Sequence, residues 1–226
     1  MRRTIWTAPI LATEKVSPVA LPPPDLRFPG SSTSSPNMKE DSLMPRISLV
    51  PVEAMEGQVK EAAQMLQAAL GVVPHSFRTY AQRPEIALAF AHLAQAVLGT
   101  GTVDRTLKTM VAYKVSTTNG CPYCIGHTSG MLHEVGFTQK ELDGIGQLEL
   151  GLFSEKEQLA LRFAEQATRA PARVSDELVA QLRQHFSEGE VVEIAAVVGL
   201  MNFTNKVHEA LAIPLEEKFL RYSSIS

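Results

Sequence analysis

Apolar residues recur every three or four positions from Pro51 to about Ala212, which is the period of an α-helix. One such stripe covers Glu53 to Leu70 and stops at Gly71. Three later segments begin with a hydroxyl residue followed three positions on by glutamate, the pattern of a helix capping box. These pairs are Thr138 with Glu141, Ser154 with Glu157, and Ser187 with Glu190. Since no segment shows a strand pattern of any length, the sequence predicts an all-α fold.

Two of the predicted helices are apolar enough to be buried against several neighbours, another subunit among them. Residues 190–212 form the more apolar of the two, and residues 85–98 form the other. In the second helix the predicted buried face consists of Ile86, Phe90, Leu93 and Val97.

The first 45 residues have a different composition from the rest of the chain. They hold eight of the fourteen prolines and the serine-rich run 31–36, and they show no helical or alternating period. Such a composition is typical of a disordered or extended segment. We therefore predict a disordered extension over residues 1–45, a helical domain over residues 46–215, and a C-terminal tail over residues 216–226, since Pro214 closes the last helix.

The charge and the cysteine content exclude several classes of function. A net charge of −3 without a dense run of lysine and arginine argues against binding nucleic acid or an anionic membrane. No apolar stretch is long enough to cross a bilayer. Two cysteines are few for a secreted disulfide framework and favour cytoplasmic thiol chemistry.

The two cysteines lie together in the run Cys121-Pro122-Tyr123-Cys124-Ile125-Gly126-His127. The Asn-Gly turn before the run is a helix stop, and a proline in the second position is tolerated only in the first turn of a new helix. Cys124 then lies near the helix N-terminus, where amide donors and the helix dipole favour a thiolate. His127 follows one turn later on nearly the same face, so it is the candidate base beside the thiol. We interpret the run as a thiol redox site.

Other interpretations of the cysteine pair are a structural disulfide, two inert buried thiols and half of a metal site. Zinc requires further ligands, and only His127 and His133 are near in sequence. A covalent c-type haem is excluded because Ile125 follows the second cysteine. The remaining histidines each occur singly on helical patterns and are predicted to be structural; among them are His75, His92 and His208.

The run from Leu107 to Thr128 resembles the core of the carboxymuconolactone decarboxylase family, in its alkylhydroperoxidase D-like, peroxidase-related branch. The resemblance extends from about Met44 to Leu215 and implies an all-helical fold whose subunits form trimers or hexamers. It also implies reduction of hydroperoxides without metal, flavin or haem. In that scheme Cys124 attacks the peroxide, Cys121 closes a disulfide, and an external thiol or dithiol reduces it.

The chain departs from the family pattern at two positions. Thr109 stands where the pattern has a relay glutamate, and Thr128 stands where it has a histidine. We therefore expect His127, one position earlier, to serve as the base. A lactone decarboxylase-like enzyme without redox thiols, and a non-catalytic oligomeric protein with structural cysteines, are the alternatives to a peroxidase.

Overall fold

The computed structural model describes residues 45–99 and 101–222, and within them it contains α-helices, short 3₁₀ turns and no β-strand. The all-α prediction is confirmed for this part of the chain. The helices are α1 (Gly57–Leu70), α2 (His75–Tyr80), α3 (Pro84–Ala94), α4 (Arg105–Asn119), α5 (Pro122–Glu134), α6 (Gln139–Gln147), α7 (Glu155–Arg169), α8 (Asp176–His185) and α9 (Glu188–Leu211). The predicted extension, residues 1–45, lies outside the described residues except for Pro45. None of the described helices combines the length and the apolar character that crossing a membrane requires.

All three predicted capping boxes are present, at the starts of α6, α7 and α9. In each one the hydroxyl accepts a hydrogen bond from a backbone N–H of the first turn, and the glutamate bonds back to the cap residue. The predicted stop before the cysteines is also present. Gly120 ends α4 at φ 68°, a left-handed conformation that glycine adopts without steric cost.

Helix α4 lies at the centre of the main hydrophobic core and packs against α5, α7 and α9. Met110, Val111 and Val115 on this helix are completely buried. Complete burial of each such side chain contributes about 1.5–3 kcal/mol. A second cluster joins α1, α2 and α3. The core therefore holds α5, which carries the cysteines, against α4 and α9.

Helix α3 differs from its prediction, because Ile86 and Leu93 are 46% and 52% exposed. The helix packs instead through small residues, with Ala87 completely buried and Ala91 partly buried beside it. This narrow contact face leaves the two larger side chains outside. Burial of Ile86 and Leu93 within the chain was therefore a wrong prediction.

Helix α3 continues as one turn of π-helix over Gln95–Gly99. The widened turn frees backbone carbonyls, and the ammonium of buried Lys108 donates to the Val97 carbonyl at 2.9 Å. The same ammonium lies 2.8 Å from a carboxylate oxygen of Glu193 on α9. These contacts tie the end of α3 to α4 and α9.

The segment after Pro214 was assigned from sequence to a tail, and the structure differs. Glu216 and Phe219 are each 4% exposed, and Glu217–Tyr222 forms a 3₁₀ helix packed against α5. A side chain at Gly130 of α5 would lie 3.0 Å from the Phe219 ring, so the glycine makes this close approach possible. Residues up to 222 therefore belong to the packed domain.

Candidate functional site

The two cysteines occupy the start of α5 in the predicted arrangement. Cys121 is the cap residue, Pro122 opens the helix, and Cys124 lies in its first turn. Both are free thiols; Cys121 is 0% exposed and Cys124 is 4% exposed. Only Cys124 therefore presents any surface to a reagent from solvent.

The histidine beside the thiol is His208. Its Nδ1 lies 3.3 Å from the sulfur of Cys124, although the two residues are 84 positions apart. His208 is buried near the end of α9 and was predicted to be structural. The sequence did not predict its contact with the thiol, because that contact arises from the long-range packing of α9 on α5. The only local signal was a pair of polar residues, Asn205 and His208, one turn apart on a largely apolar helix.

Tyr80 holds the other side of the imidazole, with its hydroxyl 2.9 Å from Nε2 of His208. Burial, reinforced by negative charge at Cys124 and Cys121, raises the pKa of Tyr80. The phenol therefore stays protonated; it accepts from Nε2 of a protonated His208 and donates to Nε2 of the neutral ring that has its proton on Nδ1. In the neutral imidazole the proton then resides on Nδ1, directed at the sulfur of Cys124.

The two thiols differ in acidity. A hydrogen bond from Cys121 lowers the pKa of Cys124 well below its ordinary value. Burial opposes the shift, while the hydrogen bond and the charge of His208, and then the nearby side chain of Asn205, reinforce it. The hydrogen bond to Cys124, burial, and the negative charge of Cys124 raise the pKa of Cys121. Cys124 is therefore the thiolate of the pair, and Cys121 is the protonated thiol that donates to it.

His127 does not contact the thiols. Its Nε2 donates instead to the carboxylate of Glu216 at 2.6 Å, and among the described residues no hydrogen bond joins His127 to either cysteine. The helical spacing placed the residue on the expected side of α5, but residues 213–222 cover that side. The interpretation of His127 as a base in contact with Cys124 does not agree with this geometry.

Glu216 is the centre of a second buried network. It also accepts hydrogen bonds from the Tyr123 hydroxyl at 2.8 Å and from the backbone N–H of His75 at 2.6 Å. Burial raises the pKa of Glu216, but the bond and the charge of His127 and the His75 N–H outweigh burial and hold it at about 2. This carboxylate is therefore ionised and joins the C-terminal segment to α2 and α5.

Residues 84–166 match the carboxymuconolactone decarboxylase family. A segment of 115 residues, 50% of this chain, is 30% identical to the uncharacterized protein YnjA of Escherichia coli (strain K12), and it spans 63% of that protein. Both cysteines lie within the family match.

Residues 84–166, rather than the whole chain, are thus similar to the carboxymuconolactone decarboxylase family.

Solved structures with a similar fold include a peroxidase-related protein and a debrominase. One is the AhpD core of an uncharacterized peroxidase-related protein from Ralstonia eutropha JMP134, with a TM-score of 0.72 and 21% identity over 80% of this chain and 97% of that one. Another is a cysteine-to-alanine variant of the debrominase Bmp8 in complex with 2,3,4-tribromopyrrole. It has a TM-score of 0.68 and 23% identity, over 83% of this chain and 97% of that one. At these identities the likeness shows the fold alone.

The family match includes only part of the site. Cys121, Cys124 and His127 lie inside residues 84–166, whereas Tyr80, Asn205, His208 and Glu216 lie outside them. The thiols thus come from the matched family segment, and their hydrogen-bond partners come from α2, α9 and residues 213–222 of this chain.

The thiol site also has the donor set of a soft metal site. The sulfurs of Cys121 and Cys124 and a ring nitrogen of His208 all lie within 4.8 Å of one another. The third donor expected from sequence was His127 or His133, but those rings bond Glu216 and the Phe137 carbonyl. If this cluster holds an ion, His208 is the third ligand. Structural zinc prefers four ligands, and no fourth His, Cys, Asp or Glu joins the cluster among residues 45–99 and 101–222.

Thr109, at the position of the family glutamate, lies apart from the thiols. Its hydroxyl donates to the Arg105 carbonyl, and it lines a cavity of about 370 Å³ that is also lined by Leu132 near the end of α5. Cys124 is eight residues before Leu132, or about 12 Å along a helix at 1.5 Å per residue. A carboxylate at position 109 would therefore not lie beside the thiol.

Proposed function

We propose that the chain is a thiol-dependent peroxidase that reduces hydroperoxides through Cys124 and Cys121. The observation that carries the proposal is the thiolate site itself: the Cys124 sulfur is hydrogen-bonded to His208, and a second thiol stands beside it. The similarity of residues 84–166 to the carboxymuconolactone decarboxylase family, and of the fold to a peroxidase-related protein, supports the same function.

In the first step the Cys124 thiolate attacks the terminal oxygen of a hydroperoxide. The O–O bond breaks, a sulfenic acid forms on Cys124, and the alkoxide that leaves takes a proton to become an alcohol. The imidazolium form of His208 is placed to supply that proton from Nδ1 and becomes the neutral imidazole; its positive charge also favours the Cys124 thiolate. We therefore assign to His208 the role that the sequence suggested for His127.

In the second step the thiol of Cys121 attacks the sulfur of the sulfenic acid. A disulfide forms between Cys121 and Cys124, and the hydroxyl leaves as water. An external dithiol then reduces this disulfide by thiol–disulfide exchange and is itself oxidised, which regenerates both thiols. The proposal thus requires a reducing compartment such as the cytoplasm and a thiol partner.

Peroxide turnover with a dithiol reductant tests the proposal. We expect Cys124→Ser to abolish peroxide consumption. Cys121→Ser is its matched control, because it removes one sulfur from the same pair but leaves the attacking one. It should complete the first step, accumulate a sulfenic acid detectable by mass, and fail to turn over with the dithiol.

Three results would contradict the proposal. Unchanged peroxide consumption in Cys124→Ser would exclude thiol catalysis, and indifference of an enzymatic activity to thiol alkylation would favour the decarboxylase-like alternative. A pair that loses no protons after a peroxide pulse, measured by mass, would favour structural cysteines. Tight binding of zinc by the reduced protein, lost on oxidation, would identify the pair as a metal site.

We also propose that the chain forms a homo-oligomer, a trimer or a hexamer. The supporting observation is an apolar patch of Ile86, Phe90 and Leu93 on α3 and Phe203 on α9, of which all but the half-buried Phe90 are exposed. The rings of Phe90 and Phe203 stack at 6.0 Å, so the two helices present one continuous surface. We expect Leu93→Ser to lower the mass measured by analytical ultracentrifugation, whereas Met65→Ser, at an exposed residue of α1, should not.

A further inference from the structure

The amide of Asn205 is an unusual group in the interior of this protein. Asn205 is 1% exposed, yet its Nδ2 is a buried nitrogen without a hydrogen-bond partner among the described residues. A buried donor of this kind costs free energy unless something uses it. Asn205 lies one helical turn before His208, so both side chains project from the same face of α9 towards α5.

The orientation of the Asn205 amide follows from its hydrogen bond with Asn119, which is itself bonded to Lys206. Lys206 Nζ, which can only donate, bonds Asn119 Oδ1 at 3.3 Å. Asn119 must then present its Nδ2, which donates to Asn205 Oδ1 at 2.9 Å and, in support of the same orientation, to Asn202 Oδ1 at 3.0 Å. Reversing the Asn205 amide would place two N–H donors against each other. The carbonyl side of Asn205 is therefore held by Asn119, and its free N–H is directed away from that bond.

The free N–H lies near the reactive sulfur. The Asn205 side chain is among the groups that lower the pKa of Cys124, after Cys121 and His208. In the reduced protein the sulfur already has His208 as a hydrogen-bond partner at 3.3 Å, and Nδ2 of Asn205 remains unpaired. An acceptor atom bonded to the Cys124 sulfur could therefore accept a hydrogen bond from Asn205 Nδ2.

We propose that Asn205 is a catalytic residue whose N–H binds the oxygen that Cys124 acquires from the peroxide, and that Asn119 and Lys206 are its positioning residues. This inference rests on the proposed peroxidase function. Attack on a hydroperoxide transfers one oxygen to the sulfur and develops negative charge on the two oxygens of the breaking bond. A preorganised donor in a buried site stabilises such charge more strongly than water does.

The experiment uses the full-length Cys121→Ser protein, in which the sulfenic acid cannot become a disulfide. Its formation with hydrogen peroxide is followed with a dimedone-type probe, and alkylation of Cys124 by iodoacetamide is measured in parallel at a pH where the thiol is fully ionised. Asn205→Asp keeps the size of the side chain and an acceptor for Asn119 but removes the N–H. Asn205→Leu removes all polar atoms.

We expect both variants to form sulfenic acid about 10- to 100-fold more slowly, as the loss of a buried hydrogen bond implies, while alkylation changes less than threefold. Alkylation transfers no oxygen, so a purely structural effect would slow both reactions equally and would overturn the inference. Unchanged sulfenic acid formation in both variants would overturn it as well. If the Cys121→Ser parent forms no sulfenic acid, the proposed function fails instead, and the two failures are distinguishable.

The positioning role is tested at Lys206, which is exposed and outside the core. Lys206→Met removes one of the two groups that orient Asn119, the other being Asn202. It should slow sulfenic acid formation several-fold, whereas Lys206→Arg retains a donor and should restore the parent rate. Lys140→Met, at an exposed residue of α6, controls for the loss of one positive charge. Equal rates of sulfenic acid formation in Lys206→Met and Lys140→Met would show that Lys206 does not position Asn205.

Discussion

Two buried hydrogen-bond networks flank the start of α5, and they contain a histidine each. In the thiol network, His208 lies between the Cys124 sulfur and the Tyr80 hydroxyl. In the carboxylate network, His127 bonds Glu216, which also accepts from Tyr123. The Tyr123 ring separates the two, with its centroid 4.7 Å from each histidine ring.

The two histidines have different hydrogen-bond partners, which favours a structural role for His127 and a chemical role for His208. A carboxylate holds His127, so its ring is committed to an ion pair that anchors residues 213–222 to α5. A phenol holds His208, and a neutral partner leaves the proton on Nδ1 available to the thiol. The sequence pattern thus pointed to the histidine that anchors residues 213–222, while the histidine beside the thiol comes from another helix. The predictions below test this division.

Removal of His208 should have the largest effect on peroxide reduction. His208→Leu takes away a hydrogen-bond donor to the Cys124 sulfur and the proposed proton donor, so the rate should fall about 100-fold or more. The pKa of Cys124, measured from the pH dependence of alkylation, should rise as well. The matched variant is His127→Gln, which should reduce the rate less than tenfold. A larger loss in His127→Gln than in His208→Leu would reverse the roles assigned to the two networks.

A smaller loss is expected from Tyr80→Phe. The substitution keeps the aromatic packing against Phe90, whose ring centroid is 4.9 Å away, but removes the hydrogen bond to Nε2 of His208. Without that bond the imidazole proton is free to move to Nε2, and the peroxide rate should fall about tenfold, as for one lost hydrogen bond. The pH–rate profile should shift, whereas the free energy of unfolding should change little. An unaltered profile would exclude Tyr80 from setting the tautomer.

Disruption of the carboxylate network should affect stability more than chemistry. Glu216→Gln leaves His127 without its counter-charge, and breaking a buried pair costs about 3 kcal/mol of the free energy of unfolding, measured in urea. The peroxide rate of the folded variant should stay within a few-fold of wild type. Glu217→Gln, at the exposed neighbour, is the control and should change neither quantity. A variant of normal stability that had lost its peroxide rate would make Glu216 part of the chemistry.

The same network predicts a pH dependence. The pKa of Glu216 is lowered from 4.5 to about 2 in the folded protein, so its stabilising contribution is fully present above pH 4.5. That contribution is lost as the pH falls from 4.5 towards 2. The difference in unfolding free energy between wild type and Glu216→Gln should therefore narrow over this range.

The features that the sequence predicted correctly depend on neighbouring residues. Capping pairs such as Ser154 and Glu157 act within one turn, and the start of α5 follows from Gly120 and Pro122. The partner of the thiol could not be predicted in this way. His208 reaches Cys124 only through the packing of α9, and its immediate sequence offers no signal beyond the polar residue Asn205 one turn away. Glu216 likewise follows a proline that indicated the end of the domain.

The smallest effect is expected at Thr109, where the family pattern has its relay glutamate. The threonine lies near the far end of α5, and the proton donor to the thiol is already provided by His208. Thr109→Glu should therefore leave the rate of peroxide reduction within about twofold of wild type. The carboxylate would line the cavity beside Leu132, which lies about 12 Å along α5 from Cys124, too far along the helix for proton exchange with the sulfur. The informative combination is Thr109→Glu with His208→Leu, assayed for peroxide consumption. If the added glutamate restored activity to that variant, the two relays would be interchangeable, and the contrast drawn between the networks would not hold.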